Sequence, residues 1–305
     1  MKHFYPDYVQ QFRCIAAACP DSCCQGWDVV IDEETEAAYT KVKGAFGERL
    51  RQAVITDSDG DRVFRLAEAK KCPFWGADRL CEIYKTLGED HLCRTCALFP
   101  RLTMDYTVFT EHTLALACPE AARLILASDN ALAAFDDTEC DACEAYDAET
   151  MRLLLRARRR AAAILTAEQP LSERLDALTR FAREVQATLT GFTEEIEEDS
   201  ILELYKTMDY IDEHNRARFI RAAEKPPGNP KDEKGLTKLA LYWLYRYFLT
   251  AIDGLDLLSP VRFLTASVRL VSRLAAEDGD LTKAAQLYSK EIEQSYENMA
   301  LFGLS

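Results

Sequence analysis

Eleven cysteines stand in this chain of 305 residues, and all of them precede residue 144. A thiol-rich first part joined to a thiol-free second part narrows what the chain can fold into. The first part is held together by disulfides, metal or buried thiols; the second needs only an ordinary apolar core. The opening, MKHFYPDYVQQFRC, has no apolar h-region and reads as lacking a secretory signal. Disulfides are therefore not the default, and clustered reduced thiols point to metal ligands or redox groups. The expectation is a soluble, cytoplasmic protein.

The thiols fall into ordered groups. Cys14, Cys19, Cys23 and Cys24 come first, followed at once by Gln25-Gly26-Trp27. Cys72-Pro73-Phe74 and Cys81 come next, then Cys93-x2-Cys96 and Cys118. Thiolates select zinc, copper(I) or iron–sulfur clusters. Neighbouring cysteines such as Cys23 and Cys24 point different ways, so both rarely bind one ion. The spacing matches neither ferredoxin pattern. It also lacks the C-x3-C-x2-C run of radical enzymes that cleave S-adenosylmethionine, because position 26 is glycine. A structural zinc site, an iron–sulfur cluster and unliganded thiols all stay open on spacing alone. Cys118 precedes Pro119-Glu120, which predicts a helix with the thiol at its N-terminus, where the dipole favours a thiolate.

Residues 1–147 are expected to form an irregular cysteine-rich region. Asp32 caps a predicted helix over 33–54, and short strands are predicted near 63–66 and 106–115. Residues 148–305 carry apolar side chains at three- and four-residue spacing. Helices are predicted over 149–167, 171–190, 199–223, 235–253, 259–277 and 281–300, punctuated by Pro170, Ser259-Pro260, Gly279 and the loop KPPGNPKDEKG. The expected fold is mainly α: a metal-binding N-terminal region with short strands, packed on a C-terminal helical bundle. The net charge of −14 argues against nucleic acid as a partner. No apolar run reaches the roughly 18 residues of a membrane span.

Three motifs in order carry a resemblance. YVQQFRC…C…CCQGWDVVIDEET, CPFW…LCEIYKTLGEDHLCRTCALFPR and ALACPEAARLIL resemble the flagellin lysine N-methylase family, whose cysteine-rich region is also described as a zinc- or iron-chelating domain. The resemblance covers residues 4–127. It implies Cys14, Cys19, Cys23, Cys24, Cys72, Cys81, Cys96 and Cys118 as metal positions. Cys93 stands where serine is usual in that family and is expected to be incidental. The resemblance further implies methyl transfer from S-adenosylmethionine to lysines of flagellin or another protein substrate, with a metal centre of the [4Fe-4S] kind or, alternatively, zinc. The chain has no G-x-G, so a dinucleotide-type glycine loop for S-adenosylmethionine is absent. The donor's amino and carboxylate groups reaching an open iron of a three-cysteine cluster is one arrangement that dispenses with it. Catalytic residues are not identified. Two non-methylase readings compete: a non-enzymatic metal-chelating or metal-sensing protein, and an iron–sulfur redox protein.

Other features have plainer expectations. Tyr242–Phe248 and Tyr84 are candidate pocket aromatics, with core packing the stronger reading for both. Asp57, Asp59, Asp61 and Glu68 mimic a calcium loop but read as a polar turn. Cys140-x2-Cys143 lies among carboxylates and reads as surface thiols. Arg156, Arg158, Arg159 and Arg160 read as a solvated helix face.

Overall fold

The computed structural model describes residues 2–129, 143–191, 199–226 and 231–304. Cys140 and part of the KPPGNPKDEKG loop lie outside them. The chain divides into two compact units. One holds Met1–Phe12 and Thr103–Ser305, the other Arg13–Leu102. The composition shift near residue 147 falls inside the larger unit. The reason is local: helix Pro119–Ala127 buries Ala121, Ala122, Leu124 and Ile125, and packs on Glu233–Tyr247 and Leu281–Tyr288, helices of the later half.

There are five strands among the described residues: β1 (Lys2–Phe4), β2 (Val54–Thr56), β3 (Arg62–Phe64), β4 (Arg101–Asp105) and β5 (Phe109–Leu114). They form a three-stranded sheet in the order β1-β5-β4 and a two-stranded antiparallel sheet of β2 and β3. β1 runs parallel to β5, with His3 opposite Thr110.

The larger unit is otherwise helical. Its long helices are Ala148–Leu165, Leu171–Thr190, Glu233–Tyr247 and Leu258–Asp278. Helix Leu258–Asp278 packs on four others, and Trp243 lies fully buried edge-on to Phe263 and Tyr288. Aspartates start several of these helices: Asp147, Asp212, Asp232 and Asp280 each accept a backbone N–H of the first turn. Gly191 and Gly279 end two of them in the left-handed region, as C-terminal glycines do.

Four predicted helices are interrupted. The 235–253 segment ends as Glu233–Tyr247, a 3-10 turn at Phe248–Thr250 and Ala251–Gly254. The 33–54 segment splits into Glu33–Lys41 and Gly44–Ala53, with Gly44 at φ 78°. The 199–223 segment splits into Asp199–Thr207 and Glu213–Glu224, the second restarted by Asp212. The 281–300 segment passes through a π-helical turn at Ser289–Glu293. No helix among the described residues is long and apolar enough to cross a membrane.

The smaller unit has a limited core of Val29, Ile31, Tyr39, Leu50, Phe64, Phe74 and Ile83, into which Cys72 and Cys93 are packed.

Candidate metal centre

Seven of the eight cysteines implied as metal positions belong to the smaller unit, and backbone pairing draws them together. The Cys72 N–H donates to the Cys24 carbonyl at 2.8 Å, while Gln25 bridges to Lys71 and the Gly26 N–H donates to the Lys70 carbonyl at 3.0 Å. Gly26 holds φ at 111°, a value that side chains oppose, so glycine follows the Cys23-Cys24 pair for a backbone reason. After Cys72 the chain turns back: Trp75 bridges to Cys81, and the Glu82 N–H donates to the Phe74 carbonyl at 2.8 Å. The Cys93–Cys96 segment is tied from the other side. Asp32 accepts the Arg94 N–H at 2.8 Å, Thr95 Oγ1 donates to the Val30 carbonyl at 3.0 Å, and Tyr39 OH donates to the His91 carbonyl at 3.0 Å.

The result is one neighbourhood of thiols. Cys72 feels the charges of Cys81, Cys93 and Cys23; Cys96 feels those of Cys93, Cys24 and Cys72. A second, outer set joins Cys19 to Cys23 and Cys14. Cys23 is common to both. Cys72 and Cys93 are buried, whereas Cys14, Cys23 and Cys96 keep access to solvent. Among the described residues, no three His, Cys, Asp or Glu side chains stand together at coordinating distance.

Cys93, expected to be incidental, is packed into the core of the smaller unit. It is buried, and its sulfur accepts hydrogen bonds from the Cys96 thiol and from the Cys96 and Thr95 N–H groups. Those bonds hold the Cys93 thiol below the ordinary range despite its burial. Donating to Cys93 drives Cys96 the other way. Burial pushes Cys72 up to about 11 and also raises Cys19. Charge on Cys81, Cys93 or Cys23 makes Cys72 harder to ionise. A cation among them would reverse that, because its charge stabilises thiolates directly.

The remaining candidates lie elsewhere. Cys118 stands at the N-terminus of Pro119–Ala127 in the larger unit, as predicted, without a side-chain capping bond. Cys143 is also in that unit, and none of the ten cysteines among the described residues is in a disulfide. Tyr84 is exposed. Tyr242, Trp243, Leu244, Tyr247 and Phe248 are buried in the larger core, and Tyr245 and Arg246 are half-buried. Asp57 satisfies its own turn by accepting the N–H groups of Asp59 and Asp61.

A mainly helical protein carrying a compact, thiol-lined unit is the class these observations define. Comparison with known proteins narrows it. The chain is 35% identical to the flagellar biosynthetic protein FliU of Salmonella muenchen over 133 residues, which is 42% of this chain and 79% of that protein. It is 33% identical over 138 residues to the lysine-N-methylases of Salmonella typhimurium and Salmonella choleraesuis, covering 44% of this chain but 34% of theirs. The chain belongs to the family of these FliU and lysine-N-methylase proteins. It aligns with about a third of the length of the two lysine-N-methylases. No family model and no solved structure matches it.

Proposed function

We propose that this chain is a protein lysine N-methyltransferase that uses S-adenosylmethionine, acts on flagellin, and carries a thiolate-bound metal centre in residues 13–102. Membership of a family with lysine-N-methylases carries the reading. The thiol neighbourhood supports the metal, since its donors are all soft sulfur and burial opposes ionisation of Cys72 without a cation.

In the reaction, the lysine ε-nitrogen lone pair attacks the sulfonium methyl carbon. The C–N bond forms as the C–S bond breaks, the sulfur keeps its electron pair, and one ammonium proton is lost. The protein's task is to hold the two reactants in line and to bring the lysine in as a neutral amine. Cys24, Cys72, Cys81, Cys93 and Cys96 would hold the metal, with Cys14, Cys19 and Cys23 forming the outer part of the set and Cys118 the matched position in the larger unit. When bound, the metal supplies positive charge and a cross-link between segments that share little regular structure.

The short alignment with the lysine-N-methylases favours one second reading: a non-enzymatic metal-chelating or metal-sensing protein of the same family. Metal and sulfide analysis of protein purified without oxygen comes first, followed by transfer of labelled methyl groups from S-adenosylmethionine to flagellin. About four irons and four sulfides per chain indicate a [4Fe-4S] cluster; zinc without sulfide indicates a structural site. Labelled flagellin supports the methylase reading. A metal-loaded protein that leaves flagellin unlabelled and does not bind S-adenosylmethionine in calorimetry sinks it in favour of the second.

Cys93 separates this ligand set from the one the family resemblance implies. Cys93→Ser is expected to lower metal content as much as Cys96→Ser does, with Cys143→Ser unchanged. Full metal occupancy in Cys93→Ser would remove it from the set.

A further inference from the structure

The sheet of the larger unit gathers two of the chain's four histidines on one face. His3 on β1 lies opposite Thr110 on β5, and His112 follows two residues later on the same face of β5. His3 Nδ1 and His112 Nε2 are 3.3 Å apart. Thr110 Oγ1 lies 2.6 Å from the first nitrogen and 3.1 Å from the second. Two imidazole nitrogens bound to one tetrahedral cation at about 2.05 Å stand about 3.3 Å apart. The pair therefore already holds the separation that a shared cation requires.

The His112 ring is also oriented from behind. Its Nδ1 lies 3.0 Å from Thr103 Oγ1 on β4, and Tyr5 stacks on the ring at 4.1 Å with the planes 2° from parallel. Ring nitrogens that bind metal usually have their opposite nitrogen engaged in this way, which fixes the tautomer and aims the lone pair. His3 is exposed and His112 partly so, leaving the site open to solvent, while Thr110 is buried beneath them. The net charge of −14 draws cations to the molecule.

We propose that His3 and His112, seated over Thr110, form a second cation site, separate in kind from the thiols, which takes a borderline divalent ion such as zinc, nickel or cobalt. Imidazole donors without a carboxylate suit these ions and not magnesium or calcium. Solvent completes the coordination.

The test is a zinc titration of the full chain after its thiols have taken up their metal, at about pH 7.5, where imidazoles are mostly neutral. The readout is the imidazole ¹⁵N resonances. His3 and His112 are expected to shift together with about one further equivalent, while His91 and His214 stay in place and magnesium moves none of them. His112→Gln is expected to abolish the shift at His3. His3→Gln, a change at an exposed position of an edge strand, is expected to abolish the shift at His112. Unmoved rings would overturn the site and leave a hydrogen-bonded pair. So would equal movement of all four rings, or a His3 shift that survives in His112→Gln.

Discussion

At the residue scale, Asp32 joins two parts of the thiol unit. Its Oδ1 accepts the Thr35 N–H at 2.9 Å and caps helix Glu33–Lys41. Its Oδ2 accepts the Thr35 hydroxyl at 2.9 Å and the Arg94 N–H, beside Cys93, at 2.8 Å. Burial alone would raise this carboxyl, but the bonds from Arg94 and Thr35 outweigh it and hold it below the ordinary range. Asp32→Ala is expected to cost about 1–2 kcal/mol, the usual value of a lost cap, measured by urea unfolding. A depressed carboxyl contributes stability above its unfolded pKa, and that contribution is lost as pH falls through the lower folded value. The difference between wild type and Asp32→Ala should therefore be full near neutrality and shrink below about pH 4. A difference that grew in acid would contradict the assignment. The sequence announced this cap, since Asp32 precedes an acidic first turn. Nothing in the spacing announced the burial of Cys93. Burial of one of two cysteines three residues apart is decided by segments distant in sequence, here Val30–Asp32 and Tyr39.

At the scale of elements, helix positions were legible and their interruptions were not. The predicted 149–167 and 171–190 appear as Ala148–Leu165 and Leu171–Thr190, because periodic apolar faces and capping residues act locally. The π-helical turn at Ser289–Glu293 has a tertiary partner instead: Glu293 is wholly buried and accepts from Arg246 at 2.7 Å and from Tyr247 OH at 2.9 Å. The arginine run departs from its expected solvated face at Arg158 alone, and in the same way. Arg156, Arg159 and Arg160 are exposed, but Arg158 is buried and makes a two-pronged ion pair with Glu111 of β5 at 2.5 and 2.6 Å, with Tyr245 over its guanidinium at 5.0 Å. The run has four arginines within one and a half turns, and only the one facing the sheet finds a carboxylate in the core. Arg158→Leu leaves Glu111 buried without its cation and is expected to cost about 3–5 kcal/mol. Arg158→Leu combined with Glu111→Leu should recover much of that loss, because neither charge is then stranded. Chemical denaturation of the three variants checks this. A double variant no more stable than the single one would mean that the pair contributes more than the relief of a stranded charge.

At the scale of the molecule, the two units do not rest on equal foundations. The larger has a continuous apolar core with Trp243, Phe263, Tyr288 and Phe302 at its centre. The smaller has three-residue strands, helices of at most ten residues and a core that includes two cysteines. Small units with limited cores commonly need a staple, and a metal is the staple its thiols would take. Binding energy is then folding energy for that unit alone. Stripping metal with a strong chelator under reducing conditions is expected to raise amide exchange across residues 13–102 by about 100-fold or more, which corresponds to about 2.7 kcal/mol. The helices Ala148–Leu165, Glu233–Tyr247 and Leu258–Asp278 should keep their protection, since their hydrogen bonds are covered by their own core. Exchange that rises equally in both units would make the molecule one cooperative whole. Exchange unchanged in residues 13–102, with the metal verified as removed, would show that the thiols hold their cation without being held by it, and the centre would then serve chemistry and not the fold.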